Sequence, residues 1–221
     1  MKLKNRNFLF VGFAFLVCFV LWTIAVCFID RQSIGPNGSV VGFATVNGFI
    51  RDCIGVHMFL YTVTDWLGLV PVFLGFGFAV LGLVQLIKRK SLFKVDSDIL
   101  VLGVFYIIVG AAYLLFEKFA INYRPVLIDG YLEASYPSST TILAVCVIPT
   151  AMFQLNNRIK RESVKNVINS VLALFTVFMV VGRLISGVHW FTDIFGGLLF
   201  GVGIDLVYIG VCKSIRSKKA R

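Results

Sequence analysis

Six long apolar runs alternate with short polar segments along the chain. The runs lie at about residues 8–29, 66–87, 99–116, 140–155, 167–182 and 194–212. An apolar helix needs about 20 residues to cross the hydrocarbon core of a bilayer, with a range of roughly 17–25. The first three runs and the last reach that length by themselves, whereas the fourth and fifth need their polar flanks. The pattern predicts an all-α bundle of six transmembrane helices.

The segment between the first two runs has a helical pattern but is too polar to cross a membrane. Residues 30–38 (DRQSIGPNG) are rich in turn-forming residues. From Phe43 onward, apolar residues recur at helical spacing and predict one apolar face, formed by Val46, Ile50, Ile54, Met58 and Tyr61. The polar residues of the segment are expected to point away from that face; they are Asn47, Arg51 and Asp52. We predict an outer interfacial helix that runs into the second span. A re-entrant segment is the alternative.

The composition supports a membrane protein. Of the 221 residues, 58% are hydrophobic and 14% are charged, too few charges to cover a soluble domain of this size. A net charge of +10 would suggest nucleic acid as a partner of a soluble protein. Here the basic residues stand between the apolar runs, so we expect the lipid bilayer as the partner and no nucleic acid. No linker or repeat divides the chain, and residues 1–221 are predicted to form a single integral membrane domain.

The distribution of Lys and Arg predicts the topology. Of 21 such residues, three lie in the N-terminal segment, four in residues 88–98, four in 156–166 and five in the C-terminal tail. The alternate segments hold the other five, which are Arg31, Arg51, Lys118, Arg124 and Arg183. Positive charge accumulates on the cytoplasmic side, so both termini are predicted to be cytoplasmic. The first run is too long for a signal-peptide core and lacks a cleavage signal, which favours a span.

Candidate chemistry lies in the segments predicted to face outward. Arg124 precedes Pro125, residues 136–141 read YPSSTT, and Arg183 is followed by His189 and Asp193. His189 and Asp193 are four residues apart, so on a helix the carboxylate can orient the imidazole. Arginines with a hydroxyl cluster suit a phosphate dianion, and a charge at the end of a span is by default a functional candidate. Taken singly, such residues also serve as helix caps or as side chains that reach the interface.

These segments resemble the three signature motifs of the type 2 phosphatidic acid phosphatase and haloperoxidase superfamily, over about residues 99–212. Its motifs are Lys, six residues, Arg-Pro; Pro-Ser-Gly-His; and Ser-Arg, five residues, His, three residues, Asp. The resemblance implies that His189 attacks phosphorus to form a phosphohistidine and that Asp193 orients it. Arg124 and Arg183 would bind the phosphoryl oxygens, with Lys118 and with Ser138 or Ser139 as further phosphate-binding groups. It implies no metal and no cofactor.

Three positions depart from those motifs. Lys118 precedes Arg124 with five intervening residues instead of six, and Gly182 replaces the Ser of the third motif. Thr140 stands where the second motif has the His that protonates the leaving group and later activates water. A threonine hydroxyl cannot deliver a proton near neutral pH, and general acid–base catalysis contributes roughly 10²–10⁴-fold. Thr140 is therefore a degenerate general-acid position.

Two functions from different classes remain open. The first is a multi-pass lipid phosphatase of the plasma membrane, of bacterial type, with an extracytoplasmic active site. Its substrate would be a lipid phosphate or a polyprenyl diphosphate such as undecaprenyl diphosphate. The second is a catalytically impaired family member that binds lipid phosphates or a partner without efficient turnover. A transporter is a weaker third hypothesis, because Asp205 is an acid inside the sixth run; the nearby Gly197–Gly201 pair suits close helix packing.

Overall fold

The structure, a computed structural model, describes residues 2–219, with side chains described for residues 7–218. The basic side chains of Lys2, Lys4, Arg6, Lys219 and Arg221, which support the predicted topology, lie outside that part. The described chain is helical, and its helices are α1 (Lys2–Phe28), α2 (Ala44–Ile54), α3 (Met58–Leu67), α4 (Leu69–Arg89), α5 (Ser97–Lys118), α6 (Ser139–Arg158), α7 (Glu162–Ile185) and α8 (Phe191–Lys219).

Six helical stretches of the described chain are long and apolar enough to cross a membrane. They cover Asn7–Phe28, Met58–Arg89, Ser97–Lys118, Ser139–Arg158, Glu162–Ile185 and Phe191–Lys218. The all-α, six-span prediction is confirmed. As expected from their shorter apolar runs, α6 and α7 reach spanning length through polar residues at their ends, which include Ser139 and Arg183. The second span consists of α3 and α4, which meet at Gly68.

Helix α8 lies against α1, α6 and α5 and forms the centre of the bundle together with α6. Glycines allow the close approach of α6 and α8. A Cβ on Gly197 would lie 3.1 Å from Cγ2 of Thr141, and one on Gly201 would lie 2.6 Å from Cγ1 of Val145. Real Cβ atoms essentially never come as close as the second distance. The predicted packing role of the Gly197–Gly201 pair is thereby confirmed.

The helix predicted between the first two spans is present but differs in two respects. It ends at Ile54 and restarts at Met58, because Gly55 has a left-handed φ of 76°. Its buried face is also different, because Asn47, which was predicted to turn outward, is buried. Asn47 Nδ2 donates a hydrogen bond to Thr192 Oγ1 at 3.0 Å, and the backbone N–H of Thr192 donates to Asn47 Oδ1 at 3.2 Å. The amide satisfies backbone and hydroxyl groups at the start of α8, so α2 docks through polar contacts.

An ion-pair network holds the opposite end of the bundle together. Asp98, near the start of α5, lies 2.7 Å from Arg216 of α8 and 3.4 Å from Arg158 of α6. Arg89 at the end of α4 contacts Asp96 at 2.7 Å. Within the described residues, Asp205 is buried in α8, takes part in no ion pair, and has no hydrogen-bond partner for Oδ1.

Candidate active site

Most of the sequence-predicted site residues meet at one end of the bundle. Arg124 lies in the α5–α6 loop and Arg183 in the last turn of α7. His189 lies in the short link before α8, and Asp193 lies in the first turn of α8. Both arginines, the histidine and the aspartate are buried.

Helix capping fixes the orientation of Asp193. Its Oδ2 accepts a hydrogen bond from the backbone N–H of Trp190 at 2.9 Å, the contact that an acid at the third helical position makes with the N-cap residue. The same Oδ2 lies 3.6 Å from Nδ1 of His189. This separation is longer than a hydrogen bond, and catalytic hydrogen bonds of this kind often tighten only when substrate binds. The carboxylate therefore faces one ring nitrogen of the imidazole.

Arg124 faces the other ring nitrogen of His189. Its Nη1 lies 3.4 Å from Nε2 of His189, and since a guanidinium can only donate, Nε2 is the acceptor and Nδ1 carries the hydrogen. Burial and the positive charges of Arg124 and Arg183 lower the pKa of His189 well below its usual range. The imidazole is therefore neutral at pH 7, and the electron pair of Nε2 points at the Arg124 guanidinium.

Arg183 is held by α3. Its Nη1 donates to the backbone oxygen of Tyr61 at 3.4 Å and to the hydroxyl of Thr64 at 3.3 Å, and its Nη2 lies 3.4 Å from Oδ1 of Asp65. The centre of its guanidinium lies 4.7 Å from the ring centroid of Tyr61, and that of Arg124 lies 5.9 Å from the same centroid. Both cations thus lie near one aromatic ring.

The hydroxyl residues of segment 136–141 lie in different environments. Ser138 caps α6: its Oγ accepts from the backbone N–H of Thr141 at 3.4 Å and from the hydroxyl of Thr141 at 3.1 Å. Ser139 lines a cavity of about 230 Å³ beside Arg124 and His189. Thr140 is buried, and its methyl group lies next to Gly68, at the junction of α3 and α4.

Lys118 does not line this cavity, and its neighbour Glu117 does. The ammonium of Lys118 lies 5.8 Å from the ring centroid of the adjacent Phe119 instead. Glu117 is the residue that precedes Arg124 with six intervening positions. A second acid, Glu133, lies 3.0 Å from Nε of Arg124. The cavity wall therefore places carboxylates on the side where the motif would supply a lysine.

Sequence reasoning missed several residues of this region. Asp65 and Thr64 belong to α3, and Glu133 and Asn122 belong to the α5–α6 loop, where Asn122 Nδ2 lies 3.5 Å from Oδ1 of Asp193. One signal was available, because Asp65 is an acid at the edge of the second apolar run. Among the described residues, no group of three or more His, Cys, Asp and Glu side chains has the arrangement of a metal site.

The fold and this cluster define a multi-pass membrane protein with a buried His–Asp pair in contact with a buried arginine. A family model, the PAP2 superfamily, matches residues 99–215, so the chain belongs to the PAP2 superfamily. Membership supports lipid phosphatase activity in general terms. No curated protein sequence matches the chain.

The fold is similar to the crystal structure of a transmembrane PAP2 type phosphatidylglycerolphosphate phosphatase from Bacillus subtilis. The TM-score is 0.59 at 19% sequence identity, and the alignment covers 94% of this chain and 96% of that one. At this identity the likeness shows a shared fold.

Proposed function

We propose that the chain hydrolyses a lipid phosphate or a polyprenyl diphosphate at the outer membrane face through a phosphohistidine on His189. The observation that carries this proposal is the position of His189 between its two partners. Nε2 lies 3.4 Å from Nη1 of Arg124, and Nδ1 lies 3.6 Å from Oδ2 of Asp193. Nε2 is therefore the atom that can attack phosphorus, at a point where a guanidinium can hold the phosphoryl oxygens.

The remaining groups would supply positioning and charge. Arg124 and Arg183 would bind the phosphoryl oxygens that gain charge as the phosphoryl group transfers. Asp193 would stabilise the imidazolium character that His189 acquires when Nε2 bonds to phosphorus. We propose one functional domain over residues 1–221, since α3 from the first half of the chain also contributes to the site.

An apolar groove beside the site supports a lipid substrate. It has a volume of about 290 Å³, runs between α4, α5 and α6, and shares Tyr113, Ser139 and Ile142 with the polar cavity. Polar and apolar regions that meet in this way suit a phosphate carried on a hydrocarbon chain.

Thr140 favours a diphosphate over a monophosphate. A lipid alkoxide leaving group has a conjugate acid about as weak as water, and it needs a proton in the transition state. The leaving group of a lipid diphosphate is a phosphate monoester, whose second pKa is about 6. It departs as a stable anion at neutral pH. A site with Thr140 therefore retains more activity on the diphosphate, for which undecaprenyl diphosphate is the natural candidate.

The same residue supports a second candidate function. Without a histidine at position 140, the chain could bind lipid phosphates or a partner without efficient turnover. The buried Arg183 and the intact His189–Asp193 pair favour the enzyme. Burying charged side chains in a membrane protein costs free energy, and such residues usually have a function.

The test is phosphate release by the purified protein in detergent, with matched lipid mono- and diphosphates and His189→Ala as the blank. Phosphate release that exceeds the blank supports the enzyme. Tight lipid binding with release equal to the blank supports the second candidate.

A further inference from the structure

Two carboxylates line the polar cavity that also contains the candidate nucleophile. Glu117 and Glu133 lie in its wall together with Arg124, Ser139 and His189. Glu117 belongs to the last turn of α5, and Glu133 belongs to the α5–α6 loop. A carboxylate repels a phosphate group, so these acids do not serve to bind the phosphoryl oxygens.

Glu133 is held next to Arg124 by its backbone and by its side chain. The backbone N–H of Arg124 donates to the backbone oxygen of Glu133 at 3.0 Å, and the adjacent residues Tyr123 and Ala134 form an antiparallel bridge. The side-chain Oε2 of Glu133 lies 3.0 Å from Nε of Arg124. The α5–α6 loop thus fixes this acid opposite the arginine that contacts His189.

One guanidinium connects the Glu133 carboxylate with the reacting nitrogen. Nε of Arg124 contacts Glu133, and Nη1 of the same rigid, planar group lies 3.4 Å from Nε2 of His189. A phosphoryl group on Nε2 that is bound by Arg124 would therefore lie beside the carboxylate. The cavity volume of about 230 Å³ is far more than one water molecule needs, so a water has room between the carboxylate and phosphorus.

We propose that Glu133 is the general base that activates water for hydrolysis of the phosphohistidine on His189. This inference rests on the proposed function. The side chain of Glu133 is 40% exposed, so its carboxylate can pass a proton on to solvent. An ionised carboxylate accepts a proton but offers none to a leaving group. Glu133 thus supplies the base that a histidine at position 140 would otherwise provide, while the acid stays absent, in agreement with a diphosphate substrate.

Atoms and electrons balance in this step. The oxygen of a water molecule bonds to phosphorus while one of its protons passes to the Glu133 carboxylate. The bond from phosphorus to Nε2 of His189 breaks, and Nε2 keeps the electron pair, which returns the imidazole to its neutral form. Inorganic phosphate leaves, and Glu133 releases the proton to solvent through its exposed side.

The experiment is a rapid-quench assay with a polyprenyl diphosphate labelled in its terminal phosphate, on the purified full chain. Glu133→Gln keeps an oxygen that can accept from Nε of Arg124 but removes the base. We expect phosphorylation of His189 at a rate near that of the wild type, followed by accumulation of labelled enzyme. Steady-state turnover should fall by about 10²–10⁴-fold, the usual contribution of a general base.

Two further variants separate this role from a structural one. Asp129→Asn removes an exposed acid of the same loop that does not line the cavity, and it should leave turnover and the labelled fraction unchanged. Glu133→Asp keeps a carboxylate on a shorter side chain, so it should turn over faster than Glu133→Gln and hold less label. A role in positioning Arg124 alone predicts the opposite order, because Gln matches the length of Glu and still accepts from Nε.

Other outcomes would overturn the inference. Slower phosphorylation of Glu133→Gln without accumulation of label would mean that Glu133 only positions Arg124. Accumulation in Glu117→Gln but not in Glu133→Gln would assign the base to the other acid of the cavity. Wild-type protein that neither releases phosphate nor acquires label would defeat the proposed function and this inference with it. Wild-type turnover combined with an unaffected Glu133→Gln variant would defeat this inference alone.

Discussion

Nε2 of His189 lies 3.4 Å from Nη1 of Arg124, a residue that precedes it by 65 positions in the chain. The contact joins the first and third sequence motifs at a single atom. It also selects the tautomer, because a guanidinium donor leaves Nε2 as the acceptor and Nδ1 as the protonated nitrogen. The electron pair of Nε2 and a guanidinium thus lie on the same side of the imidazole.

We predict that His189→Ala abolishes phosphate release and that Asp193→Asn lowers kcat by roughly 10²–10⁴-fold, because the first variant lacks the attacking atom and the second lacks the charge that stabilises the imidazolium. Release of inorganic phosphate in detergent measures both effects. His57→Gln changes the other histidine of the chain, which is exposed, and should retain activity. Unchanged activity in His189→Ala would refute the assigned nucleophile.

The lowered pKa of His189 predicts a particular pH profile. Nε2 takes up a proton and can no longer attack phosphorus when pH falls through the pKa of His189. Since burial, Arg124 and Arg183 lower that pKa, the acid limb of kcat/KM should lie below about 6.5, the ordinary histidine value. The profile of kcat/KM reports on the free enzyme and is the measurement.

Arg124→Gln offers a second test of the same electrostatics. Removing the positive charge next to Nε2 should raise the pKa of His189 and move the acid limb to higher pH, together with a loss of activity at all pH values. Arg31→Gln, which removes an exposed charge from the α1–α2 loop, should leave the limb in place. If the acid limb of kcat/KM does not move in Arg124→Gln, it reports the ionisation of a group other than His189.

We predict that Thr140→His raises turnover of a lipid monophosphate far more than that of the matched diphosphate. The new imidazole can protonate an alkoxide, whereas a phosphate leaving group gains little from an acid. The pair of assays on wild type and variant measures the ratio of the two gains. Equal gains on both substrates, or a wild-type preference for monophosphates, would count against the diphosphate hypothesis.

The membrane orientation is predicted from charge alone, and cysteine labelling with an impermeant reagent tests it. In a background without the native Cys18, Cys27 and Cys53, a cysteine at Asp129 should react with an impermeant thiol reagent applied from outside, and one at Lys160 should not. Labelling of Lys160→Cys alone would place the active site in the cytoplasm.

Local patterns predict the spans and the His189–Asp193 pair, because both depend on short spacings along the chain, although His189 lies before the first residue of α8. Contacts between distant segments escape such reasoning: Arg183 is held by Tyr61, Thr64 and Asp65, which lie about 120 positions earlier. Spacing also misplaces a side chain by one residue at Lys118, since the helix presents Glu117 to the cavity.

The interfacial helix shows a second limit. The spacing of its apolar residues continues from α2 into α3, yet the helix is interrupted at Gly55, where the backbone passes close to Gly187. That contact depends on the link before α8, where the backbone N–H of His57 also donates to the oxygen of Ser186 at 2.9 Å. A periodic pattern in one segment cannot anticipate a crossing with another.

The contact between Gly182 and Thr64 gives the last prediction. Gly182→Ser would restore the residue of the third motif, but its Cβ would lie 2.9 Å from Cγ2 of Thr64 and push α3 away from α7. Overpacking of this kind costs typically about 1–3 kcal/mol, and the shift would also disturb the contacts of Arg183. We expect a lower thermal unfolding temperature in detergent and weaker activity.

Thr64→Ser removes the offending methyl group and keeps the hydroxyl that accepts from Arg183, so the double variant should recover most of both losses. Gly77→Ser, in α4 with nothing within 4 Å of a Cβ, is the control for a new helical serine that meets no neighbour. Equal destabilisation of Gly182→Ser with and without Thr64→Ser would show that the methyl contact does not set the distance between α3 and α7.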